Sequence, residues 1–233
     1  MPVSERPVFV SVDGIVRVGY RRGVNSGHDD AHAHSDVPAE LGLRAKAIQS
    51  LLVEKGVIDE GSIDAIIEAF EHRIGPHLGA QVVARAWVDS GFKTALLNDG
   101  AAAIGDLGLE TRAGQRIVAL ENTDEVHNLV VCTLCSCYPV SLLGLPPTWY
   151  KSAPYRSRAV LEPREVLAEF GTDVSDEVEV RVWDSNSEVR YLVVPQRPDG
   201  TEGWTDEQLG GLVTRNAMIG VERAQRPVAT APS

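Results

Sequence analysis

The apolar residues of this chain change their spacing near Gly108, and that change sets the architecture the chain can adopt. Between Pro38 and Gly108 they recur at helical intervals: Leu43, Ala47, Leu51 and Leu52, then Ile63, Ile66, Ile67 and Phe70, then Val82, Val83 and Trp87. Ser62 stands where it can cap a helix, and Gly75-Pro76 and Asp99-Gly100 punctuate the run. Past Gly108, β-rich runs appear at Arg116 to Leu120 and Val126 to Val131. A helical stretch is expected from Tyr155 to Phe170, where Pro163 starts a new helix or kinks the old one. VEVRVW (Val178 to Trp183) and VRYLVV (Val189 to Val194) read as strands joined by the turn-like DSNSE, and Thr205 introduces a last helix over Asp206 to Arg215. Helices and strands are segregated rather than regularly alternating, which predicts an α+β fold behind a helical arm.

Ahead of the arm, VFVSV-DG-IVRV suits a short hairpin about Asp13-Gly14, and NSGHDDAHAHSD reads as an exposed polar linker. A divalent-metal role for His28, His32 and His34 with Asp29 and Asp30, as in metal delivery, competes with that linker reading. The formal net charge of -11 leaves no broad basic surface, so nucleic acid is not an expected partner. No run of about 18 apolar residues exists to span a membrane, and MPVSERPVFVSVDG lacks the layout of a secretory signal. The cytoplasm is the expected location.

All three cysteines lie in one stretch, VCTLCSC, at Cys132, Cys135 and Cys137. A disulfide framework needs thiols spread along a chain, so this cluster serves another purpose. One tight loop can direct three sulfurs at one point, and a metal is the natural occupant. Structural zinc takes four protein ligands and an iron–sulfur cluster usually four cysteines. Neither a fourth cysteine nor a well-placed histidine is present, since His127 lies on the preceding strand and reads as structural. Backbone nitrogen can complete the set: if the Ser136 and Cys137 amides deprotonate, they form chelate rings with the Cys135 and Cys137 sulfurs. Only a strongly acidic trivalent ion such as Co(III) or Fe(III) offsets the loss of an amide proton. Three sulfurs and two nitrogens leave one coordination position open, which a catalytic metal requires.

Several further stretches accompany the cysteine segment: ENTDEVHNLVV before it, Tyr138-Pro139 after it, then LGLPPTWYKSAPYRSR, EPREVLAEFG, EVRVWDS, VVPQRPDGTEGWTDEQL and VTRNAMIGV, with VARAWVD in the arm. Together, from about Pro38 to Val221, they resemble the α subunit of nitrile hydratase. The metal-bearing γ subunit of thiocyanate hydrolase is a close relative that shares the cysteine claw. The resemblance implies a helical arm wrapping a partner and a C-terminal four-layer αββα domain with the claw at the subunit interface. The corresponding units are an extension and linker (1–37), the arm (38–108), the metal-binding catalytic domain (109–221) and a tail (222–233).

By that resemblance Cys132 stays a thiolate, Cys135 becomes a sulfinic acid and Cys137 a sulfenic acid, and the Ser136 and Cys137 amides complete the equatorial ligands. Thr133 resembles the cobalt type rather than the iron type, so one Co(III) per subunit is expected. The implied activity is that of a lyase hydrating a small-molecule nitrile to its amide: the metal polarises the nitrile or a hydroxide, and that hydroxide or the Cys137 oxygen attacks carbon. Implied partners are one or two β-type chains, two of whose arginines hydrogen-bond the oxidised sulfurs, and a metal-insertion activator. Thiocyanate hydrolysis and a non-catalytic metal-binding module stand as alternatives.

Three positions depart from the family pattern. Val140 and Ser141 replace a Trp-Pro pair after Tyr138-Pro139, which predicts a pocket enlarged for a bulky heteroaromatic or nucleoside nitrile, unless neighbours refill the space. Tyr138 and Val140 are the candidate pocket residues. Ala113 stands where some members carry a water-organising Gln. Arg156 and Arg158 read as partner contacts or as salt-bridging residues, and Trp149, Trp183 and Trp204 as core or interface residues.

Overall fold

The computed structural model describes residues 10–12, 15–17, 39–72, 74–111 and 114–227. The Asp13-Gly14 turn, the His/Asp linker, Ala113 and the last residues of the tail lie outside the described residues. Strands β1 (Val10–Val12) and β2 (Ile15–Arg17) pair antiparallel, as the hairpin reading expects.

The helical half divides in two. Helices α1 (Ala39–Glu54) and α2 (Ser62–His72) leave Leu43, Ile48, Leu51, Ile66 and Ile67 exposed, with Leu43 at 69%. Helices α3 (Pro76–Val88), α4 (Ser90–Asn98) and α5 (Gly100–Asp106) instead bury Val82, Val83, Leu96 and Ile104 in the same cluster as the strands. Their boundaries follow from two aspartates. Asp89 ends α3 and its carboxylate accepts the Phe92 amide of α4; Asp99 does the same between α4 and α5, accepting from Ala102. Each satisfies an orphan amide and turns the chain at once.

Four strands follow: β3 (Arg116–Glu121), β4 (Val126–Val131), β5 (Glu179–Asp184) and β6 (Val189–Val194). The turn-like DSNSE does not close a hairpin. It carries the chain from one sheet to another, because β5 pairs parallel with β4 and antiparallel with β2, while β6 pairs parallel with β3. Parallel pairing needs a crossover and favours strands buried on both faces. Both conditions hold: β4 and β6 are buried along five successive residues, and four helices separate β4 from β5. These are α6 (Val140–Leu143), α7 (Thr148–Lys151), α8 (Ala153–Leu161) and α9 (Pro163–Glu169). Pro163 starts α9, so the expected helix over 155–170 is two.

The expected last helix is likewise two. A capping box between Thr205 and Gln208 opens α10 (Asp206–Gly210), the Gly210-Gly211 pair ends it, and Thr214 caps α11 (Arg215–Ile219). Gly220 closes α11 in a left-handed conformation (φ 92°), pressed so closely on the Asn128 carbonyl that a Cβ would lie 2.0 Å from it. Helices α4 and α5 pack on β3, α11 on β6, α8 on β4 and α9 on β5, and β4 touches β6. The loop leaving β4 therefore emerges from the middle of the core.

Candidate metal centre

The chain turns from strand to claw in one step. Val131 ends β4, paired with Asp184 of β5, and its carbonyl accepts the Ser185 amide at 2.8 Å. Cys132 follows directly and is fully buried. The next residue is clamped: the Asp184 carboxylate accepts the Thr133 amide at 2.9 Å and the Thr133 hydroxyl at 2.5 Å. A loop that would otherwise leave the sheet is bent back, so that the Cys135 amide donates to the Cys132 sulfur at 3.3 Å.

Cys132, Cys135 and Cys137 converge, with their sulfurs within 4.8 Å of one another. Cys135 Sγ is 3.4 Å from that of Cys132 and 3.0 Å from that of Cys137. Cys135 is exposed while the other two are buried. The environments separate their acidities. Hydrogen bonds from Cys137 and Cys132, with help from the Ser136 and Cys137 amides, lower the Cys135 thiol to about 7. Burial, then the Cys135 hydrogen bond, raises the Cys137 thiol to about 12. The donor set fits a thiophilic trivalent ion: three sulfurs meet at a point, and the Ser136 and Cys137 amides act on the Cys135 sulfur while donating to no backbone carbonyl of the described residues.

An aromatic floor supports the claw from below. Tyr150 donates its hydroxyl to the Cys137 carbonyl at 3.0 Å, and Tyr155 donates to the Val130 carbonyl at 2.7 Å. Trp149 lies edge-on to both tyrosines, with centroids at 6.1 Å from Tyr150 and 4.8 Å from Tyr155, which puts Trp149 in the core. Tyr138 packs against Tyr150 at 5.1 Å, is itself buried, and turns its hydroxyl to the Leu143 carbonyl.

A cavity of about 270 Å³ opens beside the claw, with Cys135, Ser136 and Cys137 on one side and Tyr138, Val140 and Ser141 continuing the same wall. Gln115 and Arg190 complete it. Sequence reasoning missed these two. Arg190 carried a signal, being a charged residue inside the otherwise apolar strand VRYLVV; Gln115, just before β3, carried none. His127 is not part of the site. Its Nε2 donates to the Gly220 carbonyl at 2.7 Å, with Nδ1 toward the Asn122 amide, and burial holds its pKa below the usual histidine range. Arg156 donates to the Cys135 carbonyl at 3.4 Å, whereas Arg158 pairs with Glu162 and Glu169.

Known proteins resemble this chain in sequence and fold. The family described as "Nitrile hydratase, alpha chain" matches residues 39–222. The cobalt-containing nitrile hydratase subunit alpha of Pseudonocardia thermophila is 52% identical over 191 residues, which cover 82% of this chain and 94% of that one. The thiocyanate hydrolase subunit gamma of Thiobacillus thioparus is 40% identical over 201 residues, covering 78% of this chain and 82% of that one. Among solved structures, a double mutant of the Fe-type nitrile hydratase from Comamonas testosteroni Ni1 aligns with a TM-score of 0.71 at 40% identity, over 84% of this chain and 95% of that one.

Proposed function

Since the chain belongs to the nitrile hydratase alpha-chain family, we propose that it is the metal-bearing subunit of a cobalt-type nitrile hydratase, converting a nitrile to its amide. The observation that carries this reading is the convergence of three sulfurs within 4.8 Å beside a cavity. Identity of 52% to a cobalt-containing relative, against 40% to the Fe-type structure, favours cobalt over iron. Identity of 40% to the thiocyanate hydrolase subunit ranks that chemistry second.

In this reading the sulfurs of Cys132, Cys135 and Cys137 and the amide nitrogens of Ser136 and Cys137 hold the ion. When bound there, cobalt(III) supplies the Lewis acidity that activates the nitrile toward water. The chain supplies the rest. Cys135 carries a sulfinic and Cys137 a sulfenic group, and the Cys137 oxygen is placed to attack the nitrile carbon or to take the proton of an attacking water. The aromatic floor and the Asp184 clamp keep the loop from relaxing between turnovers.

The partner is one β-type chain or two, and a separate activator inserts the metal. Exposed Leu43, Leu51, Ile66 and Ile67 on α1 and α2 support a covered face there, because a monomer rarely leaves so many large apolar residues uncovered along consecutive helices. The extension (1–37), the arm from 38, the catalytic domain (109–221) and the tail from 222 are the units of that assembly, with α3 to α5 packed on the catalytic core. Helices against the outer side of each sheet and the touch between β4 and β6 support an αββα layering. No helix among the described residues is long and apolar enough to cross a membrane, which is compatible with a cytoplasmic enzyme.

Val140 and Ser141 on the cavity wall support a substrate bulkier than an aliphatic nitrile, such as a heteroaromatic or nucleoside nitrile. The test is to co-express the chain with its β-type partner in cobalt medium and assay acetonitrile, 3-cyanopyridine and thiocyanate. Amide from the nitriles, with preference for the aromatic one that weakens in Val140→Trp, is the expected result. Carbonyl sulfide and ammonia from thiocyanate, without amide from either nitrile, would replace this reading by the hydrolase one. Bound cobalt with no turnover of any of the three would reduce the chain to a metal-binding module.

A further inference from the structure

Arg190 is the most anomalous charge among the described residues. It sits in β6 opposite Ile117 of β3, in a strand whose next four residues are 4% exposed or less, and is itself 8% exposed. Several other arginines have carboxylate or multiple carbonyl partners. Arg158 meets Glu162 and Glu169, Arg181 meets Glu179, and Arg164 donates to the carbonyls of Val174, Ser175 and Val178. Arg190 has none of this. Among the described residues no carboxylate lies within ion-pairing distance, its Nε has no acceptor, and its only side-chain hydrogen bond is a long one, 3.3 Å, to the neighbouring Val189 carbonyl. A buried guanidinium cannot escape its charge by deprotonating, so it persists only where an anion faces it.

Within this chain, the described surroundings leave one source for that anion. Arg190 lines the same cavity as Cys135, Ser136 and Cys137, and no aspartate or glutamate contributes to its walls. Of the two cysteines there, Cys135 is exposed and Cys137 buried, so only Cys137 shares with Arg190 the low-dielectric setting in which a pair is worth most.

We propose that Arg190 is a positioning residue that holds the anionic sulfur group Cys137 carries in the metal-loaded claw, from this chain's own side of the cavity. It acts in addition to the partner arginines that the family resemblance implies, and it explains why an otherwise apolar strand keeps a charge. The inference rests on the nitrile hydratase reading for the identity of the oxygenated group, but not for the pairing itself. Arg190 does not touch the substrate in this role. It fixes the orientation and charge of the group that does.

The experiment compares the cobalt-loaded complex of wild type with Arg190→Lys and Arg190→Gln. Three readouts are taken: cobalt per chain, the sulfur-to-cobalt charge-transfer absorption, and kcat and KM for 3-cyanopyridine. Arg190→Gln is expected to shift the charge-transfer band and to lower kcat by about 100-fold, the loss typical of removing one preorganised electrostatic donor, with KM changed little. Arg190→Lys keeps the charge without the fork, so it retains the fold and falls between the two in band position and kcat. If Arg190→Gln does not fold, the Lys variant alone decides, through the position of its band. A band at the wild-type position, with kcat within about threefold of wild type in the variants that fold, overturns the proposal. The band is read without substrate, so wild type inactive on nitriles would refute the hydratase reading while leaving the Arg190 pairing separately judged.

Discussion

One carboxylate bends the claw loop, and removing it has an effect whose size follows from the geometry. Asp184 accepts the Thr133 amide at 2.9 Å and the Thr133 hydroxyl at 2.5 Å, so Asp184→Ala deletes two hydrogen bonds to a charged group. Each such bond is worth about 1.5–3 kcal/mol when shielded. Thr133 is exposed, so water replaces part of both, and about 2 kcal/mol for the pair is the reasonable sum, equivalent to roughly 30-fold in the equilibrium that keeps the loop closed. The assay is amide hydrogen exchange, read by mass spectrometry on a peptide spanning residues 131 to 139. The Cys135 amide, which donates to the Cys132 sulfur only while the loop is closed, should exchange about 30-fold faster in Asp184→Ala. Thr133→Val removes the hydroxyl bond but keeps the amide one, so it should give an intermediate rate, and adding it to Asp184→Ala should cost nothing further. Exchange in Asp184→Ala within about twofold of wild type would refute the argument that this clamp, rather than the metal or the aromatic floor, shapes the loop.

Three further outcomes are expected. Gly220→Ala forces a Cβ toward the Asn128 carbonyl at a φ of 92°, which should cost about 3 kcal/mol or more and lower Tm by roughly 6–12 °C in a thermal scan. In the metal-free chain, iodoacetamide should label Cys135 first, with a rate that rises as pH passes about 7, while Cys137, raised to about 12, stays protonated and slow; equal labelling of both at pH 7.5 would contradict the environments described. His127 is held neutral by burial, so its folded pKa lies below the unfolded value of 6.5. The unfolded chain then binds more protons as the solution is acidified, so the stability it contributes is complete above 6.5 and is lost as pH falls toward its folded pKa. Urea midpoints measured across that range should fall for wild type and fall less steeply for His127→Gln.

The division of labour between sequence and structure is clearest at particular residues. The cysteine spacing announces a metal loop because no other arrangement of three thiols in six positions has an obvious use. Helix breaks at Asp99 and Pro163 are local events, set by side chains that cap or stop a helix where they stand, and they were readable; the break at Asp89 works the same way but was not read. Pairing between distant strands was not. VEVRVW and VRYLVV look like two halves of a hairpin, yet each pairs in parallel with a strand about fifty to seventy residues earlier, in a different sheet. Asp184 was invisible for the same reason, and Arg190, although its charge stood out in an apolar strand, could not be placed: the importance of both depends on β5 and β6 lying beside the loop that leaves β4. The undivided last helix failed on a smaller scale, because two adjacent glycines outweighed the helical pattern around them.

The central claim is that residues 131 to 139 form a cobalt claw with differently oxidised cysteines. It is tested most directly by metal analysis and peptide mapping of the chain purified with its β-type partner from cobalt medium. The account predicts one cobalt per chain, with two oxygens added to Cys135, one to Cys137 and none to Cys132. Zinc bound by three unmodified thiols in an otherwise intact complex would contradict it.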